Sequence, residues 1–379
     1  MTTTEPDISK NPLDKILTPS QSPQLQTAIV TVAASLLGVL IALGISAFIL
    51  AVTGKNPVDA LTTIVETAGN TDKLVEMLDR ATPLIFSATA VAIGFKMNLF
   101  NIGVEGQYLF AALISAQAGS SVNLPAPIHV LFILIVAVCA GAAWASIAAV
   151  LKAYKNIHEV ISTIMLNFIG LAVIQWLFES FFREEIEGNL NVKTKLLPNS
   201  GRMPTIIDGR LSTVFFLALL VIVGYYVLVY RSRFGFRLRA SGENPDAART
   251  VGISARTMVM LSMIISGGVA GLVAMKSLLS EAYAYGPNAT PIQLGFAGIT
   301  VALLGRNHPV GILLAAMLFG FLDSASATLQ LAGVPSSIVR VMQAIIVLCV
   351  VILNEAAIRR LNARTAEQAQ AQLAPEVNA

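Results

Sequence analysis

The segment Gly94–Gln107 places one carboxylate and three amides inside a long apolar stretch of the chain. Its polar side chains are those of Asn98, Asn101, Glu105 and Gln107. An ionised carboxylate is costly inside a bilayer, so a Glu at that depth faces protein and has a partner or a task. Glu105 therefore either contacts a polar solute or locks a helix break by pairing with Lys96, Arg80 or free backbone N–H groups.

Spacing along a helix divides these side chains. Asn101 and Glu105 are four residues apart and are expected to share a helical face, whereas Gln107 cannot join them. Gly103 and Gly106 remove side-chain bulk and permit either close helix packing or a break in the helix. The apolar spans around this segment are short, which leaves open that one or more is broken or re-entrant and buried by protein.

Three further polar residues lie alone in apolar runs, namely Asn167, Gln175 and Asp323. Asn167 and Gln175 are eight residues apart and are expected on one helical face. Interhelical hydrogen bonding explains a single Asn or Gln as well as a solute path does, whereas the charge of Asp323 is harder to bury without a task. With the four polar residues of Gly94–Gln107, these three form the candidate solute pathway.

Membrane-spanning helices must position these residues. The 379 residues are 55% hydrophobic and only 12% charged, too apolar for two soluble domains. Backbone groups in lipid must be satisfied internally, so the long apolar runs are helices. The predicted fold is an all-α polytopic bundle of about ten spans, placed near Ala28–Val52, Ala81–Met97, Ile102–Ala118, Ile128–Leu151, Val160–Phe178, Leu211–Tyr230, Met258–Leu278, Pro291–Leu304, Val310–Leu329 and Ile338–Leu353.

Positive charge predicts the orientation, because cytoplasmic loops carry an excess of Lys and Arg. The loop 231–256 between the sixth and seventh spans contains Arg231, Arg233, Arg237, Arg239, Arg249 and Arg256. With ten spans, this loop lies on the same side as Lys152, Lys155, Arg306 and both termini. That side is predicted to be cytoplasmic, and the acidic stretch 59–79 and the loop 179–210 are predicted to face outward.

The predicted organisation is a cytoplasmic segment at 1–27, a transmembrane domain at 28–356 and a cytoplasmic tail at 357–379. The uncharged run Ala28–Val52 is longer than the apolar region of a signal peptide, so it is expected to remain as the first span. The tail from Asn362 onward has little hydrophobic periodicity, so a loose end is expected.

A short helix is predicted within the cytoplasmic loop 231–256. Asn244 suits the N-cap, Pro245 the first helical position and Gly252 the C′ stop, giving about two turns. So short a helix is not stable alone and must be held by neighbours. Its small side chains, Ala247, Ala248 and Val251, are expected to be exposed and to let a partner approach closely. An ordinary interfacial helix is the alternative that the residues leave open.

Other chemistries find little support. Cys139 and Cys349 lie in apolar runs, so neither a disulfide nor a metal site is expected. The glycine-rich stretch 266–271 lacks the phosphate-loop pattern and favours close helix packing. The low net charge, +3, and the placement of the basic residues argue against nucleic-acid binding. ATP, if it is used, must bind to another subunit.

Three motifs resemble those of one family. The run NIGVEGQ at 101–107, after ATPL at 81–84, is similar to the signature of bacterial ABC-importer permeases of the branched-chain amino acid, simple-sugar and nucleoside type, and closest to the nucleoside permeases. EVISTIMLN at 159–167 and ALLGRNHPVG at 302–311 match further stretches of that family. His158 departs from it, since Asn is common at that position. The resemblance covers roughly residues 80–353.

The resemblance implies a transporter subunit rather than an enzyme, in a bacterial inner membrane. The loop helix looks like the coupling helix that rests on the ATPase in such importers, and the resemblance assigns that contact to Gly242, Asn244, Pro245, Ala247, Ala248, Arg249 and Gly252. It also implies a second permease chain, often a different one, and an extracytoplasmic solute-binding lipoprotein. The chain itself is expected to hold no cofactor, because ATP and magnesium bind to the ATPase.

Two alternatives stay open on the residues alone. An ion-coupled secondary transporter needs carboxylates near mid-membrane beside broken helices, and Glu105 with Asp323 is able to supply them. The bounded cytoplasmic helix counts against that alternative. An intramembrane enzyme needs a nucleophile or metal constellation, and the sequence offers no convergent pattern of that kind.

Overall fold

The computed structural model describes residues 23–184, 192–287, 289–331 and 333–377. The α-helices in these ranges are α1 (Pro23–Val52), α2 (Pro57–Gly69), α3 (Thr71–Phe95), α4 (Val104–Ser121), α5 (Ala126–Lys155), α6 (Glu159–Leu177), α7 (Val214–Tyr226), α8 (Arg233–Glu243), α9 (Pro245–Thr250), α10 (Ala255–Ala270), α11 (Leu294–Leu304), α12 (Pro309–Leu331) and α13 (Ser336–Val377). Short π-helical turns lie at Phe178–Phe182, Val227–Arg231 and Ser277–Glu281, and a hairpin joins β1 (Thr205–Ile206) to β2 (Leu211–Ser212).

The all-α prediction is confirmed. In the described ranges, six helices are long and apolar enough to cross a membrane, namely α1, α5, α6, α7 with its π-helical turn, α12 and α13, and α10 and α11 are shorter apolar helices. Each of the ten predicted spans overlaps one of the α-helices. Because α3, α4, α10 and α11 do not reach the length or apolarity of the other six, the total of about ten spans stays a prediction.

The described residues form two compact units, one within 58–339 and the other within 1–57 and 340–379. In the smaller unit α1 and α13 pack closely, because a Cβ atom at Gly38 would lie only 2.8 Å from the Cα atom of Val350. One amide hydrogen bond reinforces this contact, from Asn354 Nδ2 to Ser35 Oγ at 3.0 Å. Gly38 therefore sets the distance between these two helices.

Helix α3 lies at the centre of the larger unit. Every residue from Ala81 to Gly94 is buried, and the helix contacts α7, α10, α11 and α12. A helix that is buried on all sides forms the core of its bundle. The first half of α3 is polar instead, and there Glu76 pairs with Lys73 at 2.9 Å and with Arg80 at 2.6 Å. The side chain of Arg80 is therefore committed to Glu76 rather than to Glu105.

Helices α5 and α10 approach each other until their backbones touch. A methyl group on Gly141 would overlap the carbonyl oxygen of Gly267, and one on Gly271 would overlap the carbonyl oxygen of Ala137. The close packing predicted for the stretch 266–271 is therefore confirmed. In lipid, where the hydrophobic effect does not drive helices together, such close contacts are the main source of helix association.

An ion-pair cluster joins the start of α3 to the segment after α10. The Nζ atom of Lys276 lies 2.6 Å from Asp79 Oδ2 and 2.8 Å from Glu281 Oε1. The other oxygen of Asp79 accepts a hydrogen bond from the backbone N of Ser212 in β2, at 2.9 Å. The cluster thus connects three segments that are distant in the sequence. The sequence does not predict it, because a single Lys near the end of an apolar run is typical of a helix end at the membrane–water interface.

The two ends of the chain differ from the predicted boundaries. Helix α1 begins at Pro23, which suits a first helical position, and residues 1–22 lie outside the described ranges, as does 185–191 of the predicted outer loop. The predicted tail is helical, since α13 continues to Val377, and its loose packing stays a prediction. Its sequence from Asn362 is rich in Ala and Gln and contains no glycine, so helix propensity favours the helix over most of this stretch, up to Pro375.

Replacing Gly141 with Ala is expected to lower the free energy of unfolding by ~1–3 kcal/mol, because the added methyl group overpacks the contact with α10. Thermal unfolding of the purified chain in detergent measures the effect. Gly224→Ala in α7 is the matched control, since nothing lies within 4 Å of its Cβ position. An unfolding midpoint for Gly141→Ala that equals the control would contradict the packing argument.

Candidate functional site

Glu105 lies in the first turn of α4 and is only 7% exposed. Its Oε1 atom accepts hydrogen bonds from the hydroxyl of Tyr108 at 2.8 Å and from the backbone N of Gln293 at 2.6 Å. Its Oε2 atom accepts from the backbone N of Gly295 at 2.8 Å. Of the partners that the sequence left open, the structure thus selects backbone N–H groups, and they belong to the start of α11.

Helix α11 begins inside the protein. It has eleven residues, a length of about 16 Å, which is about half the hydrocarbon thickness of a bilayer. Its first residue, Leu294, accepts a hydrogen bond from Ser87 Oγ at 2.8 Å, and Ser87 lies about 12 Å along α3 from that helix's end at Phe95. The predicted eighth span therefore contains a short helix that follows non-helical chain. This agrees with a broken or re-entrant span, which the sequence left open.

The close approach of α4 and α11 depends on Gly295. A Cβ atom there would lie 2.6 Å from the backbone N of Glu105 and 2.9 Å from Oε2. Gln293, just before the helix, has a left-handed backbone with φ of 67°, which turns the chain into α11. The N-termini of α4 and α11 thus meet at one carboxylate. Its negative charge interacts favourably with the positive ends of both helix dipoles.

Asn101 and Gln107 form a second part of the buried polar cluster. Asn101 Nδ2 donates to Gln107 Oε1 at 3.1 Å and to Ser266 Oγ in α10 at 2.9 Å, while Asn101 Oδ1 accepts from Gly103 N and Gln107 Nε2, both at 3.0 Å. The expectation that Asn101 shares a helical face with Glu105 was wrong. Helix α4 begins at Val104, so Asn101 precedes it and pairs with Gln107 instead.

Asn167 of α6 completes the cluster from the opposite side. Its Oδ1 atom accepts from the backbone N of Gly106 at 2.9 Å, and its Nδ2 atom donates to the carbonyl oxygen of Ile102 at 2.9 Å. Both bonds satisfy backbone groups at the break between α3 and α4, as buried polar groups require. A Cβ atom at Gly106 would lie 2.9 Å from Asn167 Oδ1, so the glycine admits this amide.

The other three residues of the predicted pathway lie elsewhere. Asn98 is exposed in the turn after α3, with φ of 57°. Gln175 is exposed on α6 and donates to Glu179 Oε1 at 3.1 Å, and Asp323 is half-buried on α12. The structure therefore brings together Asn101, Glu105, Gln107 and Asn167 but not Asn98, Gln175 or Asp323.

The loop helix α9 has the predicted caps. Asn244 Oδ1 accepts from the backbone N of Asp246 at 3.1 Å and of Ala247 at 3.0 Å. At the other end Gly252 has φ of 79° and its N–H donates to the carbonyl oxygen of Arg249 at 3.0 Å. The helix is shorter than predicted, with six residues from Pro245 to Thr250.

One predicted contact residue of α9 faces inward. Ala248 is 3% exposed and packs in a hydrophobic cluster with Leu238 of α8 and Met258 of α10, whereas Ala247 and Val251 are exposed. The expectation that Ala248 belongs to the exposed face was wrong. Because the chain supplies its own apolar surface under α9, Ala248 is the side chain that holds this short helix in place.

A basic surface surrounds α9. A cavity of about 540 Å³ beside it is lined by residues of α5, α8, α9, α10 and the turn after α3, among them Asn98, Lys152, Gly242, Arg249 and Arg256. Lys152 is paired with Glu159 at 2.7 Å, and the guanidinium of Arg256 lies 5.3 Å from the ring centre of Tyr154.

Next to this cavity, Lys96 Nζ lies 5.3 Å from the ring centre of Tyr230, which also contacts His308 at 5.8 Å between ring centres. Burial, and after it the positive charge of Lys96, lowers the pKa of His308, because both disfavour the protonated ring. The turn after α3, the end of α5, the loop helix and the α11–α12 loop therefore meet at one end of the larger unit.

A family model described as "Branched-chain amino acid transport system / permease component" matches residues 73–351, well over half of the chain. The chain belongs to this family. Among curated relatives, it is 39% identical to the guanosine ABC transporter permease protein NupP of Bacillus subtilis over 73% of this chain and 80% of the relative. The nucleoside ABC transporter permease protein NupB of Lactococcus lactis is 32% identical over 80% and 86% of the two chains. The glucose ABC transporter permease protein TsgB13 of Haloferax volcanii is 31% identical over 82% and 85%.

The buried cluster of this permease also includes residues that were not among the predicted pathway residues. Tyr108 follows Glu105 by three positions, a spacing that places both on one helical face and is readable in the sequence. Ser266 lies 165 residues after its partner Asn101 in the chain, and Gln293 lies 188 residues after its partner Glu105. No local pattern points to them, because their partners are set by the packing of α10 and α11 on α3 and α4.

Replacing Glu105 with Gln is expected to loosen the start of α11. The amide oxygen replaces Oε1, which has two donors, so the NH₂ group faces the N–H of Gly295 and that hydrogen bond is lost, at ~1–3 kcal/mol. Faster hydrogen–deuterium exchange at the start of α11 and a lower unfolding midpoint measure this. Glu66→Gln on the exposed surface of α2 is the matched control, because it makes the same substitution far from Gln293 and Gly295 in the sequence. Equal exchange in the two variants would contradict the proposed cap.

Proposed function

We propose that this permease carries a nucleoside, or a related small polar solute such as a simple sugar, into the cell as the membrane-spanning subunit of an ATP-driven importer. The observation that carries the proposal is the similarity, over about three quarters of the chain, to permeases named for guanosine and nucleosides. The similarity to a glucose permease supports the sugar alternative.

The charge of the buried cluster supports an uncharged solute. A half-helix that begins inside a transporter presents the positive end of its dipole, which in other folds attracts anionic substrate groups. Here Glu105 accepts hydrogen bonds from two N–H groups at the start of α11, so the chain's own carboxylate already compensates the positive end of that helix dipole. A second anion would meet the negative charge of Glu105, whereas a nucleoside or sugar has none to repel.

The same bonds count against the ion-coupled secondary transporter. That alternative requires carboxylates available to a coupling ion, and it relied on Glu105 together with Asp323. Both oxygens of Glu105 are held by groups of this chain, and Asp323 lies on α12, outside the buried cluster.

We infer that α9 is the contact for an ABC ATPase subunit, which binds ATP and magnesium. The helix is capped at both ends, its Ala247 and Val251 are exposed, and Ala248 fixes it to the permease. The other residues of this proposed contact lie in or beside α9, namely Gly242, Asn244, Pro245, Arg249 and Gly252. A second, homologous but different permease chain and an extracytoplasmic solute-binding lipoprotein complete the proposed assembly.

Ten spans with both termini in the cytoplasm are part of the same proposal. The basic residues Lys152, Arg249 and Arg256 line one cavity, and the α11–α12 loop with Arg306 lies at the same end of the larger unit. The positive-inside rule makes this the cytoplasmic end of a protein in the bacterial inner membrane. The ion pair of Asp79 with Lys276 then lies toward the outer face.

The proposed solute is tested by competition. A strain that carries this chain should take up radiolabelled guanosine and a strain that lacks it should not, and excess unlabelled adenosine should reduce this uptake, because both solutes are purine ribonucleosides. Excess glucose should leave uptake unchanged. Guanosine uptake that is unchanged by deletion of the chain, together with glucose uptake that is lost, would reject the nucleoside in favour of the sugar.

The proposed ATPase contact is tested by Ala247→Trp. The bulky ring on the exposed face of α9 should reduce the solute transported per ATP hydrolysed about tenfold or more, the equivalent of ~1.4 kcal/mol, while membrane insertion is unchanged. Ala68→Trp on the exposed surface of α2 is the control for the added ring. Coupling at the wild-type level in Ala247→Trp would remove α9 from this role.

A further inference from the structure

The turn that joins α3 to α4, residues 96–103, is packed on one side against the loop helices. Met97 and Leu99 are 5% and 4% exposed, and they belong to the hydrophobic cluster that contains Leu238 of α8 and Ala248 of α9. We refer to 96–103 as the linking turn. Through this cluster, the linking turn shares one apolar core with α8 and α9, without a covalent connection to α9.

Backbone contact at Gly242 makes this junction tight. A Cβ atom at Gly242 would lie 2.6 Å from the carbonyl oxygen of Lys96 and 2.9 Å from the Cα atom of Met97. The neighbours are backbone atoms, which cannot move aside as a flexible side chain can. Only glycine fits at the end of α8, so a displacement of α8 and α9 toward the linking turn must move the turn as well.

The other side of the linking turn is held by hydrogen bonds. The N–H of Leu99 donates to the carbonyl oxygen of Gly94 at 3.0 Å, which closes the end of α3. Asn101 makes the four hydrogen bonds described above, to Gly103, to Gln107 and to Ser266 of α10. Because the oxygen and the NH₂ group of the Asn101 amide each make two hydrogen bonds, the turn has little freedom to deform between Leu99 and the start of α4.

Glu105 continues this connection to α11. It lies in the turn of α4 that follows Gly103, and its carboxylate holds the N–H groups of Gln293 and Gly295. Gly295 packs directly on the backbone of Glu105. Movement of the start of α4 therefore moves the start of α11, the helix that begins inside the bundle.

We propose that the linking turn carries the displacement of α9 to α11, with Gly242 as the positioning residue at the loop-helix end and Glu105 as the positioning residue at the α11 end. This inference rests on the proposed ATPase contact at α9. The competing route is the covalent one, in which α9 acts only on α10, the helix that directly follows it. If the linking turn carries the displacement, substitutions at Gly242 and at Glu105 both reduce coupling, and their effects are not independent. If the covalent route carries it, neither substitution changes coupling.

The experiment uses the complete transporter, with its ATPase, permeases and binding protein, reconstituted in proteoliposomes. Solute uptake and solute-stimulated ATP hydrolysis are measured on the same preparation, and their ratio is the readout. The variants are Gly242→Ala, Glu105→Gln and the double variant, with Gly224→Ala as the control for an added methyl group. A purely structural defect lowers both rates together and leaves the ratio unchanged.

The expected result is a ratio lowered at least about fivefold by Gly242→Ala and by Glu105→Gln, the lower range of measured coupling between sites. Because the two residues act in series, the double variant should be no worse than the more severe single variant. Wild-type ratios in both single variants, or a double variant whose loss is the product of the two single losses, would overturn the proposal.

A second pair of variants covers the case in which Gly242→Ala does not fold. Met97→Ala removes the apolar contact of the linking turn with α8 and α9 without adding bulk, and Met275→Ala removes an equally buried side chain outside that cluster. Met97→Ala should lower the ratio and Met275→Ala should not; equal ratios would overturn the proposal. Wild-type protein that shows no solute-stimulated hydrolysis would instead reject the proposed function itself.

Discussion

A helix that begins inside the protein exposes backbone N–H groups where no water is available, and in this permease the carboxylate of Glu105 accepts two of them. Much of the surrounding structure follows from this requirement. The carboxylate must be at the start of α4, so the chain must break between α3 and α4, and that break exposes further backbone groups. Asn101 and Asn167 satisfy those groups with their amides.

Glycines make this arrangement possible. Gly106 admits the amide of Asn167, Gly295 lets α11 reach Glu105, and Gly242 lets α8 lie on the linking turn. In lipid, such contacts replace the hydrophobic effect as the reason for helices to associate, since lipid is as apolar as the side chains it would release. The same principle explains why Gly141 and Gly267 bring α5 and α10 into backbone contact.

The polar residues of this permease thus divide by role. Those of the buried cluster satisfy backbone groups and fix the relative positions of α4, α6, α10 and α11. Those around α9 form a basic surface at one end of the larger unit, and the Lys276 cluster ties segments together away from it. A permease that is rigid at its helix breaks is well suited to transmit a movement from one region to another.

The sequence alone determined the elements, because they depend on local chemistry. Apolar runs predicted helices, Asn244 and Gly252 predicted the caps of α9, and the motif around Glu105 indicated the family and left a helix break as one alternative. It misplaced Ala248 and the end of α13, since burial depends on neighbours and helix propensity acts without an apolar face. Partners hundreds of residues apart, such as Glu105 with Gln293 or Asp79 with Lys276, were decided only by tertiary structure. Their pairing follows from how helices pack, and no spacing along the chain encodes it.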